Sequence, residues 1–370
     1  MSNPLNIILI ILFIGAGQGF LFSIVLFTVR KGNRVANRFL ATMIFLFSFV
    51  IFSHSMGEVE SSPIDKTSHD HIIVQLIFFL FGPLLYFYIK TLTQPAYKLR
   101  RSNSLHLLPL ILSLIVFVPL RGFTFGITGN PNNIFIASMF VITIHFIIYI
   151  ILSVIILLRH SKKIKDTFSS TEKINLNWLK FLIIGLLLIF PFGTIAEIIG
   201  GGSALWNLIW LMVSVFIYTM GFMSLRQPEI YLGSDFIVSE DEKKRERKYQ
   251  KSALTSEKIV EYFERLENYI NKNKPYLKSN LTLRALAGML SLSTHHLSQV
   301  INEKTGNNFF DYINSYRVEE AKLLLEDQSK NNLTITSIGF EAGFNSVSSF
   351  NSVFKKFMKT TPSQYRKLAG

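Results

Sequence analysis

The chain has 370 residues, of which 49% are hydrophobic and 17% charged, and its formal net charge is +14. It contains no cysteine, which excludes disulfides, thiolate zinc sites and cysteine nucleophiles. Residues 1–225 hold 16 basic residues (Lys and Arg) and 7 acidic residues (Asp and Glu). The shorter remainder, residues 226–370, holds 22 basic and 17 acidic residues. This distribution is typical of a membrane domain joined to a water-soluble domain.

Seven apolar segments fill the first part of the chain. Each is close to the about 20 residues that a helix needs to cross a bilayer. A backbone in hydrocarbon must satisfy its own hydrogen bonds, so we expect these segments to be helices. The sequence therefore predicts an all-α protein with a seven-helix transmembrane domain over residues 1–225. The predicted spans are roughly 5–29, 36–55, 72–93, 104–121, 133–158, 177–199 and 204–225.

The basic residues predict the orientation of this domain. Of the 16 Lys and Arg in residues 1–225, all except Lys66 and Arg121 fall on the side of the loops near residues 33, 97 and 168. The positive-inside rule places that side in the cytoplasm. With seven spans, we expect the N-terminus outside and residues 226–370 in the cytoplasm.

Some polar residues of this domain invite a functional interpretation. His145 lies in the middle of the fifth segment and Glu197 near the outer end of the sixth. Ionisable groups inside a membrane are candidates for function, so both are candidate sensor residues. Alternatively, His145 hydrogen-bonds a neighbouring helix and Glu197 reaches the membrane interface. The run His69–His71 favours a solvated loop over a metal site, because three adjacent residues rarely converge on one ion. We expect no metal or cofactor.

Residues 226–275 connect this domain to the next one. Residues 240–251 mix acidic and basic side chains without an apolar anchor, which indicates a solvated juxtamembrane segment. An apolar stripe with helical spacing follows at Ile259, Tyr262, Phe263, Leu266, Tyr269 and Ile270. Part of the stripe also fits two heptads, so residues 256–270 are compatible with a homodimer contact or with packing on the next domain.

Residues 281–306 have the pattern of two short helices joined by a turn. Leu286, Ala287 and Leu290 give the first helix an apolar face. Ser293 is placed to cap the second helix, and Gly306 suits a left-handed residue at its end. The outward positions of the second helix are polar, namely His295, His296, Ser298, Gln299 and Asn302. In a helix-turn-helix, such short side chains reach base edges in the major groove.

A second copy of this pattern lies near the end of the chain. Gly343 supplies a turn with positive φ, and Asn345 or Ser346 caps the helix that follows. Phenylalanines recur on one face of that helix, and Ser348, Ser349, Asn351 and Ser352 fall on the others. The stretch between the copies, residues 308–327, has helical apolar spacing and predicts one rigid connecting helix.

Residues 276–367 resemble the DNA-binding domain of the AraC/XylS family of bacterial transcription regulators. The family's pattern in the second copy stands here as Gly343-Phe344, Ser346, Phe350, Phe354-Lys355-Lys356, Thr361-Pro362 and Tyr365-Arg366. Three positions depart from the family. Ser291 stands where a turn glycine is common, Gly339 where alanine is usual, and Lys359 where a glycine usually ends the last helix. The whole arrangement is similar to that of membrane-bound AraC-type regulators.

The resemblance implies a membrane-embedded transcription regulator of the bacterial inner membrane, with double-stranded DNA as partner and RNA polymerase as a further candidate. It assigns base contacts to His295, Ser298 and Gln299 in the first copy, and to Ser348, Ser349, Asn351 and Ser352 in the second. Lys355, Lys356 and Arg366 are expected to meet phosphates or to remain solvated.

A transporter or channel with a regulatory cytoplasmic domain is the alternative function. This alternative is favoured if helices are broken at Pro83, Pro109 and Pro191, because many transporters contain broken helices. The sequence shows no P-loop, metal-ligand cluster or nucleophile–base pair, so we do not expect an enzyme.

Overall fold

The computed structural model describes residues 4–30, 32–59, 70–94, 96–128, 132–172, 174–199, 202–226 and 254–369. Within these ranges the chain is helical and has no β-strand apart from an isolated antiparallel bridge between Phe168 and Thr282. The all-α prediction is therefore confirmed for the described part of the chain. The chain divides into two compact units: residues 1–158 with 176–231, and residues 159–175 with 232–370.

Long apolar helices build the first unit. They are α1 (Pro4–Thr28), α2 (Arg34–Val59), α3 (Asp70–Thr93), α4 (Leu108–Thr128), α5 (Asn132–Thr167), α6 (Asn177–Ile198) and α7 (Ser203–Arg226). The end of α5, from residue 159 on, belongs to the second unit. By length and composition, six of them, all except α4, can cross a membrane. Around α4, the apolar stretch whose side chains are described, Arg101–Val116, is shorter than a span. Six of the seven predicted spans thus match a helix that is long and apolar enough to cross a membrane, and the fourth stays a prediction.

Small residues allow the helices of this unit to approach closely. A Cβ atom on Gly19 would lie 1.9 Å from Ser48 Oγ on α2, and one on Gly15 would lie 2.8 Å from Ser214 Oγ on α7. Both distances are too short for a side chain, so α1 needs glycine at these two positions. The spacing of four residues between them is the small-xxx-small pattern of closely packed membrane helices.

The second unit contains seven further helices among the described residues. They are α8 (Ser256–Asn273), α9 (Leu283–Met289), α10 (Thr294–Thr305), α11 (Phe309–Glu326), α12 (Ile335–Glu341), α13 (Val347–Met358) and α14 (Pro362–Ala369). We call α9 with α10 the first helix pair, and α12 with α13 the second helix pair. Both pairs lie where the sequence predicts them.

Each helix pair has its own apolar core, and α11 contributes to both. The first core includes Leu266, Leu286, Leu297 and Ile313. The second core includes Phe310, Leu324, Ile338, Phe344, Phe350 and Phe354. A single helix thus has side chains in both cores, and it lies where the sequence predicts the connecting helix.

Helix α8 packs on the first core. Leu266 and Ile270 are fully buried there, and Phe263 and Tyr269 pack against the same cluster. Of the two alternatives for residues 256–270, the structure contains packing within the domain. Leu266 and Tyr269, two of the residues with heptad spacing, pack on the first core.

Local backbone features explain the turns of the two helix pairs. Ser293 Oγ accepts a hydrogen bond from His296 N, and Ser346 Oγ accepts one from Ser349 N, so both serines cap their helices. Gly343 has a φ of 91°, and a Cβ atom there would lie 2.5 Å from Tyr276 O. A glycine is therefore required at this turn.

The three departures from the family pattern have structural counterparts. Ser291 and Lys359 adopt left-handed conformations, with φ of 53° and 59°, at the positions where glycine is usual. Such a conformation strains a residue that carries a Cβ atom. A Cβ atom on Gly339 would lie 2.6 Å from Cδ1 of Phe350, so the Phe350 ring fills the space that an alanine would take.

Candidate nucleic-acid interface

The outward face of α13 is exposed and polar. Ser348, Asn351, Ser352 and Lys355 are exposed, whereas Phe350, Val353 and Phe354 on the opposite face are buried in the second core. Ser349 is half-buried beside the cap of the helix. The second pair therefore presents the side chains that the sequence assigned to base contacts, on a helix held by its apolar side.

The corresponding face of α10 is less accessible. His295, Ser298 and Gln299 are half-buried. Gln299 Nε2 donates a hydrogen bond of 2.8 Å to Glu303 Oε1. Asn302 Nδ2 donates one of 2.9 Å to the carbonyl oxygen of Ser298. The polar groups of α10 are therefore partly engaged with one another.

Helix α8 lies beside this face of α10. The rings of Tyr262 and His296 are 6.4 Å apart, with their planes inclined by 32°. Burial lowers the pKa of His296 below its usual value, and the nearby His295 and Lys258 act in the same direction. The His296 imidazole is thus favoured in its neutral form at the edge of the candidate interface.

Two basic residues that the sequence placed near phosphates have partners inside the domain. Lys356 forms an ion pair with Asp311 of α11. Arg366 Nη1 donates a hydrogen bond of 2.8 Å to the carbonyl oxygen of Leu333 and is half-buried. Arg366 therefore holds α14 to the segment before α12, a structural role that the sequence did not indicate.

A buried arginine lies between the two helix pairs. Arg317 on α11 is 1% exposed, and its guanidinium donates to the carbonyl oxygens of Tyr276 (2.8 Å) and Lys278 (2.8 Å). It also donates to Ser169 O (2.9 Å), Ser169 Oγ (3.0 Å) and Asn314 Oδ1 (3.2 Å). Within the described residues its partners include no carboxylate. Burial without a counter-charge lowers the pKa of Arg317 to about 10.

The arginine is paired with a segment that lies far away in the sequence. We call residues 168–172, which follow α5, the docking segment. Ser169 is 1% exposed, and its N–H and hydroxyl both donate to the carbonyl oxygen of Leu281, at 3.2 and 2.7 Å. Asn314 Nδ2 donates to Ser169 O at 3.1 Å. Ser169 thus fills the space between the start of α9 and α11.

The same segment reaches the cap of α13. Glu172 Oε1 accepts a hydrogen bond of 2.9 Å from Ser348 Oγ, and Glu172 Oε2 accepts one from Ser346 Oγ. One of these partners caps the helix, and the other is a predicted base-contacting residue. This contact was not predicted from the sequence, because residues 159–175 have the pattern of a basic loop between two apolar segments.

One of the two candidate sensor residues of the first unit, His145, lies among aromatic side chains. The His145 ring packs against Phe79 and Tyr149, with centroids at 5.4 and 4.9 Å, and among the described residues neither of its nitrogens has a hydrogen-bond partner. The hydrogen bond to a neighbouring helix, which was the alternative for His145, is therefore absent among the described residues. The side chain of Glu197, in the last turn of α6, lies outside the described residues, as does His69.

Two polar contacts in this unit were not predicted. His54 Nε2 lies 3.0 Å from Asn207 Oδ1, and His106 Nδ1 lies 2.6 Å from Tyr149 OH. Each joins residues from two different apolar segments, and no local sequence signal marks such a pair. In the described part of the chain, no group of three or more His, Asp or Glu is arranged to hold a metal ion.

Comparison with known protein families identifies the last part of the chain. Residues 286–368 match the family model described as a helix-turn-helix domain. This part of the chain is therefore a helix-turn-helix domain of AraC type, as the resemblance predicted.

Curated HTH-type transcriptional regulators are similar to part of this chain. An uncharacterized HTH-type transcriptional regulator of Staphylococcus aureus strain COL is 33% identical over 115 residues, which are 31% of this chain and 14% of that protein. The HTH-type transcriptional regulator GlxA of Rhizobium meliloti strain 1021 is 28% identical over 101 residues, 27% of this chain and 30% of the relative. The chain thus matches only a minor part of the length of these relatives.

Solved structures are also similar to part of this chain. One is the C-terminal domain of AraT, a response regulator from Geobacillus stearothermophilus, with 33% identity and a TM-score of 0.26 over 32% of this chain and 88% of that one. Another is the C-terminal domain of the two-component response regulator yesN from Fusobacterium nucleatum, with 37% identity and a TM-score of 0.24. The match covers 27% of this chain and 93% of that one.

Proposed function

We propose that this protein is a membrane-embedded, sequence-specific transcription regulator that couples a signal at the membrane to binding of promoter DNA. The observation that carries the proposal is the face of α13. Its exposed serines and asparagine stand on a helix whose other face is buried, within a helix-turn-helix domain. Short polar side chains on such a helix can meet base edges in the major groove.

Both helix pairs take part in DNA recognition in this proposal. Because α11 joins their cores, the two pairs can address successive stretches of major groove, about one helical turn or ~34 Å apart. Ser348, Ser349, Asn351 and Ser352 of α13, with His295, Ser298 and Gln299 of α10, are the proposed base-contacting residues. Lys355 is exposed and the Lys356 ammonium lies at the surface beside Asp311, so both are proposed to contact phosphates.

Membrane embedding is supported by the surface of the first unit. Large apolar side chains are exposed on α1, α5 and α6, for example Leu21 at 65%, Ile144 at 59% and Phe181 at 76%. Contiguous apolar surface of this kind is unusual for a water-soluble monomer and suits contact with lipid. With seven spans, the basic loops and the C-terminal unit lie in the cytoplasm and the N-terminus outside the inner membrane.

The helices of the first unit argue against a transporter. Helices α3 and α6 run uninterrupted through Pro83 and Pro191, and Pro109 is the second residue of α4, where proline is tolerated. Discontinuous helices at the membrane midplane mark many transporters. The three prolines therefore give little support to that alternative.

The proposed partners are double-stranded DNA, the lipid bilayer and, at promoters, RNA polymerase. A homodimer through residues 256–270 would use the face of α8 that does not pack on the first core. Val260, which is 42% exposed, lies on that face.

The proposal is tested by mapping the genomic DNA bound by the intact protein in cells, with DNA from a strain that lacks the gene as control. Enrichment of a few discrete promoter sites that share one sequence is the expected result. A uniform distribution along the chromosome would contradict sequence-specific binding. Purified protein in lipid nanodiscs then gives the affinity for an enriched site and for a scrambled site of equal length.

A further inference from the structure

The docking segment is firmly held on the helix-turn-helix domain. Ser169 alone takes part in five hydrogen bonds with Leu281, Asn314 and Arg317. All four residues have buried side chains, with Asn314 at 0% and Arg317 at 1% exposed. Buried polar groups stay hydrogen-bonded because an unpaired one is costly, so this site requires a polar occupant. Ser169 is that occupant.

Glu172 lies where DNA recognition would take place. Its carboxylate accepts hydrogen bonds from Ser346 and Ser348 at the start of α13. The N-terminus of a helix attracts anions through its free N–H groups and its dipole. A carboxylate therefore occupies a position that favours a DNA phosphate, and it uses the hydroxyl of a proposed base-contacting residue.

The charge of Glu172 opposes DNA binding beyond its own contacts. Residues 276–367 hold 11 basic and 7 acidic residues, so the attraction of this domain for phosphates is modest. The ion pair with Asp311 also reduces the effect of the Lys356 ammonium on the same helix. One more carboxylate at the start of α13 repels the phosphates that α13 must approach.

We propose that the docking segment is an autoinhibitory element that holds the second helix pair in a form unable to read DNA. The inference rests on the proposed DNA-binding function and adds its regulation. Ser169 is the anchor of the element and Glu172 is the group that blocks the helix. Release of the segment frees Ser346 and Ser348 and removes a negative charge from the interface.

The chain connection supplies a route for a signal. Helix α5 is continuous from Asn132 to Thr167, and the docking segment begins at the next residue. Its residues Ala137–Thr167 are one of the apolar stretches that can cross a membrane. A rotation or shift of α5 is therefore passed directly to Phe168 and Ser169, with no flexible linker between them.

Cross-linking tests the contact without any DNA. Because the natural chain has no cysteine, the pair Glu172→Cys with Ser348→Cys provides two unique thiols in the intact protein. In lipid nanodiscs, a short bis-maleimide is expected to link them in most molecules. Asp166→Cys with Ser348→Cys is the matched control, with its first thiol six residues earlier, and should link far less. Equal linking of both pairs, or none, would overturn the proposal.

DNA binding tests the inhibition. Intact Glu172→Ala and Glu172→Gln proteins in nanodiscs are titrated with a duplex selected from a random library by the Glu172→Ala protein, and with an unselected duplex. Removing the exposed carboxylate is expected to raise affinity for the selected duplex about threefold to tenfold, with Glu172→Gln between wild type and Glu172→Ala. Asp166→Asn, which removes one negative charge from the last turn of α5 just before the docking segment, should bind like wild type.

The outcomes separate this inference from the proposed function. If all proteins bind the selected duplex with equal affinity, autoinhibition is wrong while DNA recognition stands. If Asp166→Asn gains as much as Glu172→Gln, the effect is general charge and the specific blocking role is wrong. If neither wild type nor any variant prefers the selected duplex, the proposed function fails, and the regulatory role fails with it, even where the cross-link forms.

Discussion

Replacement of Arg317 by methionine probes the centre of the second unit. The substitution keeps an unbranched side chain but removes a guanidinium that donates five hydrogen bonds. It leaves the carbonyl oxygens of Tyr276, Lys278 and Ser169 without these donors in a site where Arg317 is 1% exposed. The change should therefore destabilise the unit, although it also removes a buried charge.

The size of the effect follows from two opposing terms. Hydrogen bonds that involve a charged group contribute about 1.5 kcal/mol or more each, so five of them give roughly 7 kcal/mol. Burial opposes this, because lowering the Arg317 pKa from 12.5 to about 10 corresponds to about 3 kcal/mol. The difference is a loss of about 4 kcal/mol in the free energy of unfolding.

The assay is pulse proteolysis of the intact protein in detergent across a urea series. Cleavage after brief exposure to protease reports the unfolded fraction of the second unit. Arg317→Lys keeps the charge but offers donors from one atom, so it should lose about half as much stability as Arg317→Met. Arg265→Met, at an exposed position on α8, is the control and should change stability by less than about 0.5 kcal/mol. A loss below about 1 kcal/mol for Arg317→Met would refute the role given to the network.

Three further predictions concern packing, DNA recognition and topology. Gly339→Ala should destabilise the second unit by about 1–2 kcal/mol, because the new Cβ atom would meet the Phe350 ring. The loss of stability should be smaller when Phe350 is also replaced by leucine. A Gly339→Ala protein that is more stable than wild type in thermal unfolding would contradict this prediction. Asn351→Ala should cost about 1–3 kcal/mol of binding free energy at a cognate duplex and little on random DNA, and it should cost more than Gln299→Ala, because the Gln299 amide already bonds Glu303. Lys356→Ala should weaken binding to both duplexes alike in binding isotherms at two salt concentrations. Equal losses of affinity for Asn351→Ala on both duplexes would exclude Asn351 as a base-reading residue. Reporter fusions should show the loops near residues 33, 97 and 168 and the C-terminus in the cytoplasm, and the loops near residues 60, 127 and 201 outside. A C-terminal reporter that is active only outside the cytoplasm would overturn both the predicted topology and the proposed function as a transcription regulator.

Local features of the second unit were predictable from short stretches of sequence. The caps at Ser293 and Ser346, the left-handed Gly306 and Gly343, and the apolar face of α13 each depend on residues within one or two turns. Nearest-neighbour chemistry decides such features, so a single sequence carries them.

Contacts between distant parts of the chain were not predictable. Ser169 and Arg317 are 148 residues apart, and Glu172 and Ser348 are 176 apart. Serine and glutamate in a basic loop are ordinary surface residues by composition, and nothing next to them indicates a partner. The burial of Arg317 was not predictable either. An arginine at a helical position is normally exposed, and its neighbours in the sequence do not indicate otherwise. The internal role of Arg366 escaped prediction for the same reason.

The sharing of α11 by two cores has a consequence for how this protein can change during evolution. One residue inserted in the middle of α11 would turn one helix pair by about 100° about the helix axis and move it about 1.5 Å along it. Either core, or the contacts of Ser169 with Asn314 and Arg317, would be broken by that turn. Substitutions on the outward faces of α10 and α13 carry no such penalty. New binding sequences are therefore accessible by single mutations, whereas a new distance between the two halves of a binding site is not.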